Sequence, residues 1–234
     1  MEFYVNGKKE RYNPYNMKKD KKLGEGLEAE VYLIDNYTVK FFKKFPGKKI
    51  YITKESLEEM KQIGTKRILL PKDGLYDKKH KLRGYRMTYV EDIGQDSYFD
   101  LEKDKLKEEN SILREDIKLL SDNKVLIEDL YTDNTSYNNG IYLIDPGSYR
   151  IDDKVDSNQA YGINMDLINR YLIFEVLRSY HLVKYNERKN YALSYEFSKE
   201  INKEYNRSGK NDVLEFFSDI KEDNLDKFVE KRSK

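Results

Sequence analysis

Two six-residue runs rich in β-branched and aromatic residues, AEVYLI at 29–34 and YTVKFF at 37–42, flank the dipeptide Asp35–Asn36. Such side chains fit the pleated surface of a sheet, and Asp-Asn tolerates the left-handed backbone that a two-residue hairpin needs. The pattern commits this stretch to two antiparallel strands, and any fold of the chain must contain them. Period-two alternation puts Val39 and Phe41 on one face and Lys40 on the other. Upstream, Asn6–Gly7 between Phe3–Val5 and Lys8–Tyr12 predicts a short hairpin within an N-terminal extension, residues 1–20. Downstream, Thr53 is an expected N-cap for a helix over 53–63, and Ile68–Leu70 and Gly84–Val90 read as strands around a polar turn, Asp73–Leu82.

After Tyr89 the pattern changes. A long helix is expected over 102–120, with Leu106, Leu113, Ile117 and Leu120 near one face. Two short apolar runs follow, Val125–Leu130 and Ile141–Ile144, and then the most apolar segment, 165–183, as a buried helix. Further helices are expected at 191–205 and 211–221, with a frayed tail over 225–234. The fold class is α+β: a small antiparallel sheet with one helix in residues 21–90, and a mostly helical part in 91–224.

Composition narrows the chemistry. The chain has 234 residues, enough for a substantial core, and no cysteine. Disulfides, thiol nucleophiles and Cys-ligated metals are therefore excluded, and two histidines, His80 and His181, are too few for a His-rich centre. Lys+Arg 44 against Asp+Glu 43 gives +1, which argues against a uniformly basic nucleic-acid binder. That sum hides an asymmetry: residues 1–90 hold 22 Lys+Arg against 12 Asp+Glu, net +10, and the remainder 22 against 31, net −9. No apolar run approaches the ~18 residues of a spanning helix, and the N-terminus lacks the apolar core of a signal peptide. No membrane association and a cytoplasmic location are expected.

Three segments carry chemistry. Gly24 and Gly26, between two strands, allow the backbone to approach a phosphate that a Cβ would block, although a hairpin turn would use the same residues. Lys40 follows on the next strand; most strand lysines are solvated, and its place after the glycine turn is what singles it out. Asp129 and Asn134 stand five apart in Asp129-Leu130-Tyr131-Thr132-Asp133-Asn134, and Asp145-Pro146-Gly147 closes the next strand. These are hard oxygen donors of the kind that suit Mg²⁺, although Asp145–Gly147 alone reads as a plain turn.

In this order the segments resemble the protein-kinase-like family over roughly residues 20–180. Gly24, Gly26, Ala29 and Val31 match G-x-G-x-x-G-x-V with Ala in the third glycine position, and Lys40 matches the strand lysine. Asp129 and Asn134 match D-L-x-x-x-N, and Asp145–Gly147 matches D-F-G. The resemblance implies a two-lobed fold and an ATP- and Mg²⁺-dependent phosphotransferase. Lys40 would orient the α/β-phosphates, Asp129 would act on the attacking hydroxyl, and Asn134 and Asp145 would hold the metal. Met87 falls where the family guards the adenine pocket, with Thr88–Val90, including Tyr89, as the hinge.

The family also requires a helix glutamate to pair with the lysine. If Ile52, Leu57, Met60 and Ile63 define the apolar face, Glu59 lies nearest its edge, Glu55 farther and Glu58 opposite. Glu59 is the expected partner, with Glu55 second.

Several positions depart from the family. Ile127 and Glu128 replace His-Arg, Tyr131 replaces a lysine, and Pro146 replaces the Phe; no A-P-E follows. The acceptor is accordingly open between a protein hydroxyl and a small molecule. Two other outcomes are carried: a pseudokinase that binds nucleotide without turnover, and nucleotidyl transfer on the same fold.

Overall fold

The computed structural model describes residues 2–5, 8–11, 22–43, 52–92, 103–130, 134–185, 201–210, 213 and 216. The expected tail at 225–234 and most of the helices expected at 191–205 and 211–221 lie outside these residues; 201–208 are helical.

The hairpin around Asp35–Asn36 forms β4 (Ala29–Ile34) and β5 (Tyr37–Phe42), and both turn residues are left-handed, with φ of 47° and 64°. This is the primed turn whose twist matches that of the strands. Five further strands complete an antiparallel sheet: β1 (Glu2–Val5), β2 (Lys8–Arg11), β3 (Lys22–Glu25), β6 (Asp73–Tyr76) and β7 (Leu82–Thr88). The order is β2-β1-β6-β7-β5-β4-β3. Strands β1 and β2 pair within this sheet, with Tyr4 opposite Tyr76, while the expected turn at Asn6–Gly7 lies outside the described residues. One face of the sheet buries Phe3, Val5, Tyr32, Ile34, Val39, Phe41 and Leu75. Tyr85 and Met87 belong to the main core, with Leu57, Met60 and the helical residues.

Gly84 makes the centre of this sheet possible. A Cβ there would collide with the Lys40 carbonyl oxygen and crowd the Phe41 backbone. Only glycine lets β7 lie this close to the strand that carries the lysine.

Helix α1 (Lys54–Met60) is capped by Thr53, whose hydroxyl accepts from the Ser56 N–H while Ser56 Oγ accepts from the Thr53 N–H. The remainder is built on α2 (Lys103–Asp122) and α3 (Ser157–Tyr185), which pack together. Strands β8 (Val125–Leu126) and β11 (Arg150–Ile151) pair with each other, as do β9 (Thr135–Tyr137) and β10 (Ile141–Leu143). The sheet part is tied to the helical part at residues 66–69. The buried Asp116 of α2 accepts from the backbone N–H of Lys66, Arg67 and Ile68 at 2.8, 2.5 and 2.9 Å. Leu69 N donates to the Leu143 carbonyl at 2.8 Å, and Leu143 N to the Arg67 carbonyl at 2.9 Å.

Several boundaries differ from the sequence reading. Asp73–Tyr76 is a strand rather than turn, because Gly74 and Leu75 are buried beside β7; the connection shrinks to 77–81, with His80 left-handed and exposed. Ile68–Leu70 makes a single bridge, Ile68 with Leu143, rather than a strand. The run Val125–Leu130 is strand only at its first two residues. Helix α3 starts at Ser157, not Met165, because Asp156 and Gln159 cap it reciprocally at 2.8 and 3.0 Å.

Candidate active site

Lys40 projects from β5 on the face opposite Val39 and Phe41, and its Nζ reaches both Asp145 oxygens, at 2.6 and 2.7 Å. Tyr85, directly across the ladder from Lys40, donates its hydroxyl to Asp145 Oδ1 at 3.2 Å. Burial, followed by the Asp145 charge, raises the Tyr85 hydroxyl well above its ordinary range, so it stays a donor at any physiological pH. Gly147 N also donates to Asp145 Oδ1, at 3.0 Å. A Cβ at Gly147 would stand 2.9 Å from that oxygen and 3.1 Å from Lys40 Nζ, so a larger residue here would press on the ion pair.

Lys40 and Asp145 form one wall of a cavity of about 320 Å³, also lined by Leu23, Gly24, Val31, Met87, Tyr89 and Ser136. Of the residues singled out from sequence, Gly24, Val31, Lys40, Met87, Tyr89 and Asp145 line it. Gly26 is exposed at the turn and Ala29 is buried within the sheet, outside the lining. Neither Asp129 nor Asn134 lines it, but Asn134 is bonded to the backbone of a lining residue and to Asp129. Asn134 Nδ2 donates to the Asp129 carbonyl at 3.1 Å, and the Asn134 carbonyl accepts from Ile144 N at 2.9 Å, next to Asp145. Asn134 and Asp145 lie at one end of the β9–β10 hairpin and are the hard-oxygen residues that would hold Mg²⁺ there, once Lys40 releases Asp145. Among the described residues no three His, Cys, Asp or Glu side chains gather around one point.

The expected Lys40–Glu59 pair is not formed. Lys40 is held by Asp145, while Glu59 and Glu55 are exposed. Ile52 precedes the cap and Ile63 follows the last turn, so neither contributes to a face of the helix. The real face is Leu57 and Met60 alone, and at 100° per residue Glu58 and Glu59 lie about 130° from its centre.

The loop preceding Asp129 is fixed from below. The fully buried Asn164 accepts from Ile127 N at 2.9 Å and donates to the Val125 carbonyl at 2.9 Å and to Ser121 Oγ at 3.1 Å. Glu128 pairs with Arg150, which also pairs with Asp152, so the chain after Asp145 is bound back to the Asp129 loop.

No protein-family model matches this chain, and no curated protein matches it. The site therefore rests on the geometry of these residues.

Above the cavity, the Gly24–Gly26 turn is held by lysines. Lys22 Nζ meets Glu25 at 2.5 Å, and Lys43 pairs with Glu25 and donates to the Gly26 carbonyl at 2.9 Å. The Lys22 hydrogen bond, then that of Lys43, draws the Glu25 carboxyl down from 4.5 to about 2. A depressed carboxylate stabilises the fold fully above its unfolded value of 4.5 and loses that contribution as pH falls through about 2. A carboxyl-detected NMR titration is expected to place the Glu25 midpoint near pH 2, and Lys22→Ala should move it up toward 4.5. A midpoint near 4.5 in the unaltered protein would show that the lysine contacts do not persist in solution.

Proposed function

We propose that this chain is a compact phosphotransferase of the protein-kinase-like superfamily, with a sheet lobe and a helical lobe meeting over ATP and Mg²⁺. It would transfer the γ-phosphate to a hydroxyl of a protein or small molecule. One observation carries this reading: Lys40 and Asp145, 105 residues apart, meet at a cavity that the glycine turn and the Met87–Val90 segment also line.

Each residue has a task in this reading. Lys40, exchanging Asp145 for phosphate oxygens, orients the triphosphate. Met87 and Tyr89 bound the base end. Asn134 and Asp145 would hold Mg²⁺, which when bound neutralises charge on the phosphate oxygens. Asp129 accepts or orients the proton of the attacking hydroxyl. Positioning and electrostatics supply most of the acceleration.

The glycine turn gives a test free of folding effects. A Cβ at Gly24 or Gly26 meets nothing within 4 Å, and neither residue has a positive φ, so the fold itself does not require glycine at either place. Gly24→Ala and Gly26→Ala are expected to leave Tm unchanged and to weaken MgATP binding in titration calorimetry. Unchanged affinity in both would remove the turn from the nucleotide site.

A second reading, nucleotide binding without turnover, is favoured by the contact of Lys40 with both Asp145 oxygens, which leaves each group already neutralised. ATP labelled at the α- or the γ-phosphate separates the outcomes. Label from the γ-position in an acceptor supports phosphoryl transfer, and label from the α-position means nucleotidyl transfer. A Mg²⁺-dependent nucleotide thermal shift with no transfer supports binding alone. Absence of any nucleotide effect overturns the proposal.

A further inference from the structure

Strand β9 presents three hydroxyls in succession, Thr135, Ser136 and Tyr137, all buried. Alternation along a strand sends the first and third to one face and the middle one to the other. On the first face, Tyr171 satisfies both neighbours, with its hydroxyl 2.8 Å from Thr135 Oγ1 and 2.7 Å from Tyr137 OH. On the opposite face Ser136 lines the cavity; it is 2% exposed, and its Oγ has no hydrogen-bond partner among the described residues.

A buried serine ordinarily bonds a neighbouring carbonyl or side chain, and an orphaned hydroxyl is an exception that calls for a partner. Around it the cavity is lined largely by apolar side chains, including Leu69, Met87 and Ile144.

We propose that Ser136 is a recognition hydroxyl for the nucleoside half of the ligand in this cavity; this rests on the nucleotide reading above. Its place along the strand sets which half it meets. Asn134, at the metal end, lies two residues back, about 7 Å along an extended chain. Tyr137, the next residue, donates its backbone N–H at 3.2 Å to Asp92, another cavity-lining residue just beyond the Tyr89–Val90 segment. A neutral hydroxyl that both donates and accepts suits a ring nitrogen or a sugar hydroxyl, whereas the charged triphosphate has Lys40 at the other end.

Titration calorimetry on the full chain tests this with three probes: adenosine, MgATP and inorganic tripolyphosphate. Ser136→Ala is expected to weaken adenosine and MgATP by a common factor, about 2- to 12-fold for one net hydrogen bond, and to leave tripolyphosphate unchanged. Its ligand-free Tm should not fall, because the substitution removes a polar group that nothing in the fold satisfies. Equal affinity of wild type and Ser136→Ala for both nucleosides overturns the inference while leaving the nucleotide reading intact. So does a lowered Tm, which would show the hydroxyl bonded within the fold. Failure of the wild type to bind MgATP overturns both.

Discussion

Exchanging Asp129 for asparagine is expected to lower phosphoryl transfer by about 10²–10⁴-fold, the usual worth of general-base assistance, and to leave MgATP affinity essentially unchanged. The separation follows from the geometry. Asp129 holds Asn134 through its backbone carbonyl, not its carboxylate, and its side chain is outside the cavity lining. The substitution therefore removes a proton acceptor while keeping Asn134 oriented and the nucleotide site intact. Lys40→Met should behave oppositely, losing both contacts to Asp145 and impairing productive nucleotide binding. Single-turnover assays with γ-labelled ATP, beside calorimetric affinities, distinguish the two. Equal turnover for wild type and Asp129→Asn would strip Asp129 of its role.

The second large effect concerns stability and does not depend on function. Asp116→Ala is expected to destabilise the fold by about 3–5 kcal/mol in urea unfolding, since it orphans the N–H groups of Lys66, Arg67 and Ile68 together at roughly 1–3 kcal/mol each, reduced by relaxation. Asp116 is 1% exposed, so water cannot replace it without structural opening. Asp116→Asn keeps one acceptor oxygen and should recover part of the loss. A loss below about 1 kcal/mol would mean that the parallel bridge at Ile68–Leu143 holds the two parts of the molecule without help from α2.

Local rules made the central hairpin legible from sequence alone. Asp35–Asn36 and the two alternating runs specify strands, turn and the face of Lys40, and Thr53 marks the start of α1. The start of α3 is equally legible, since Asp156 and Gln159 stand at capping-box spacing, although the apolar stretch begins only at Met165. The partner of Lys40 was not available in the same way. It depends on how two distant segments close, and Ile52 and Ile63, which together make Glu59 an edge residue, lie outside a helix only seven residues long. Tyr85 does carry a signal in the sequence: two residues before Met87, it shares the face of β7 that looks on Lys40 and Asp145. Ser136 had none, because a hydroxyl is significant only once its neighbours are seen to be satisfied and it is not.

Among the described strands, β3 has a neighbour on one side only, and its register with β4 slips between Lys22 and Gly24. β5, by contrast, is laddered on both sides, to β4 and β7. The roof of the cavity therefore hangs on a single ladder at the edge of the sheet, and its floor is held from both sides. Lifting that roof breaks the β3–β4 ladder and the Lys43 contacts to Glu25 and Gly26 but leaves the strand bearing Lys40 in register, so a guest can enter and leave while the anchor that greets it stays still. Amide exchange should record this as fast opening at 22–25 over slow exchange at 38–41.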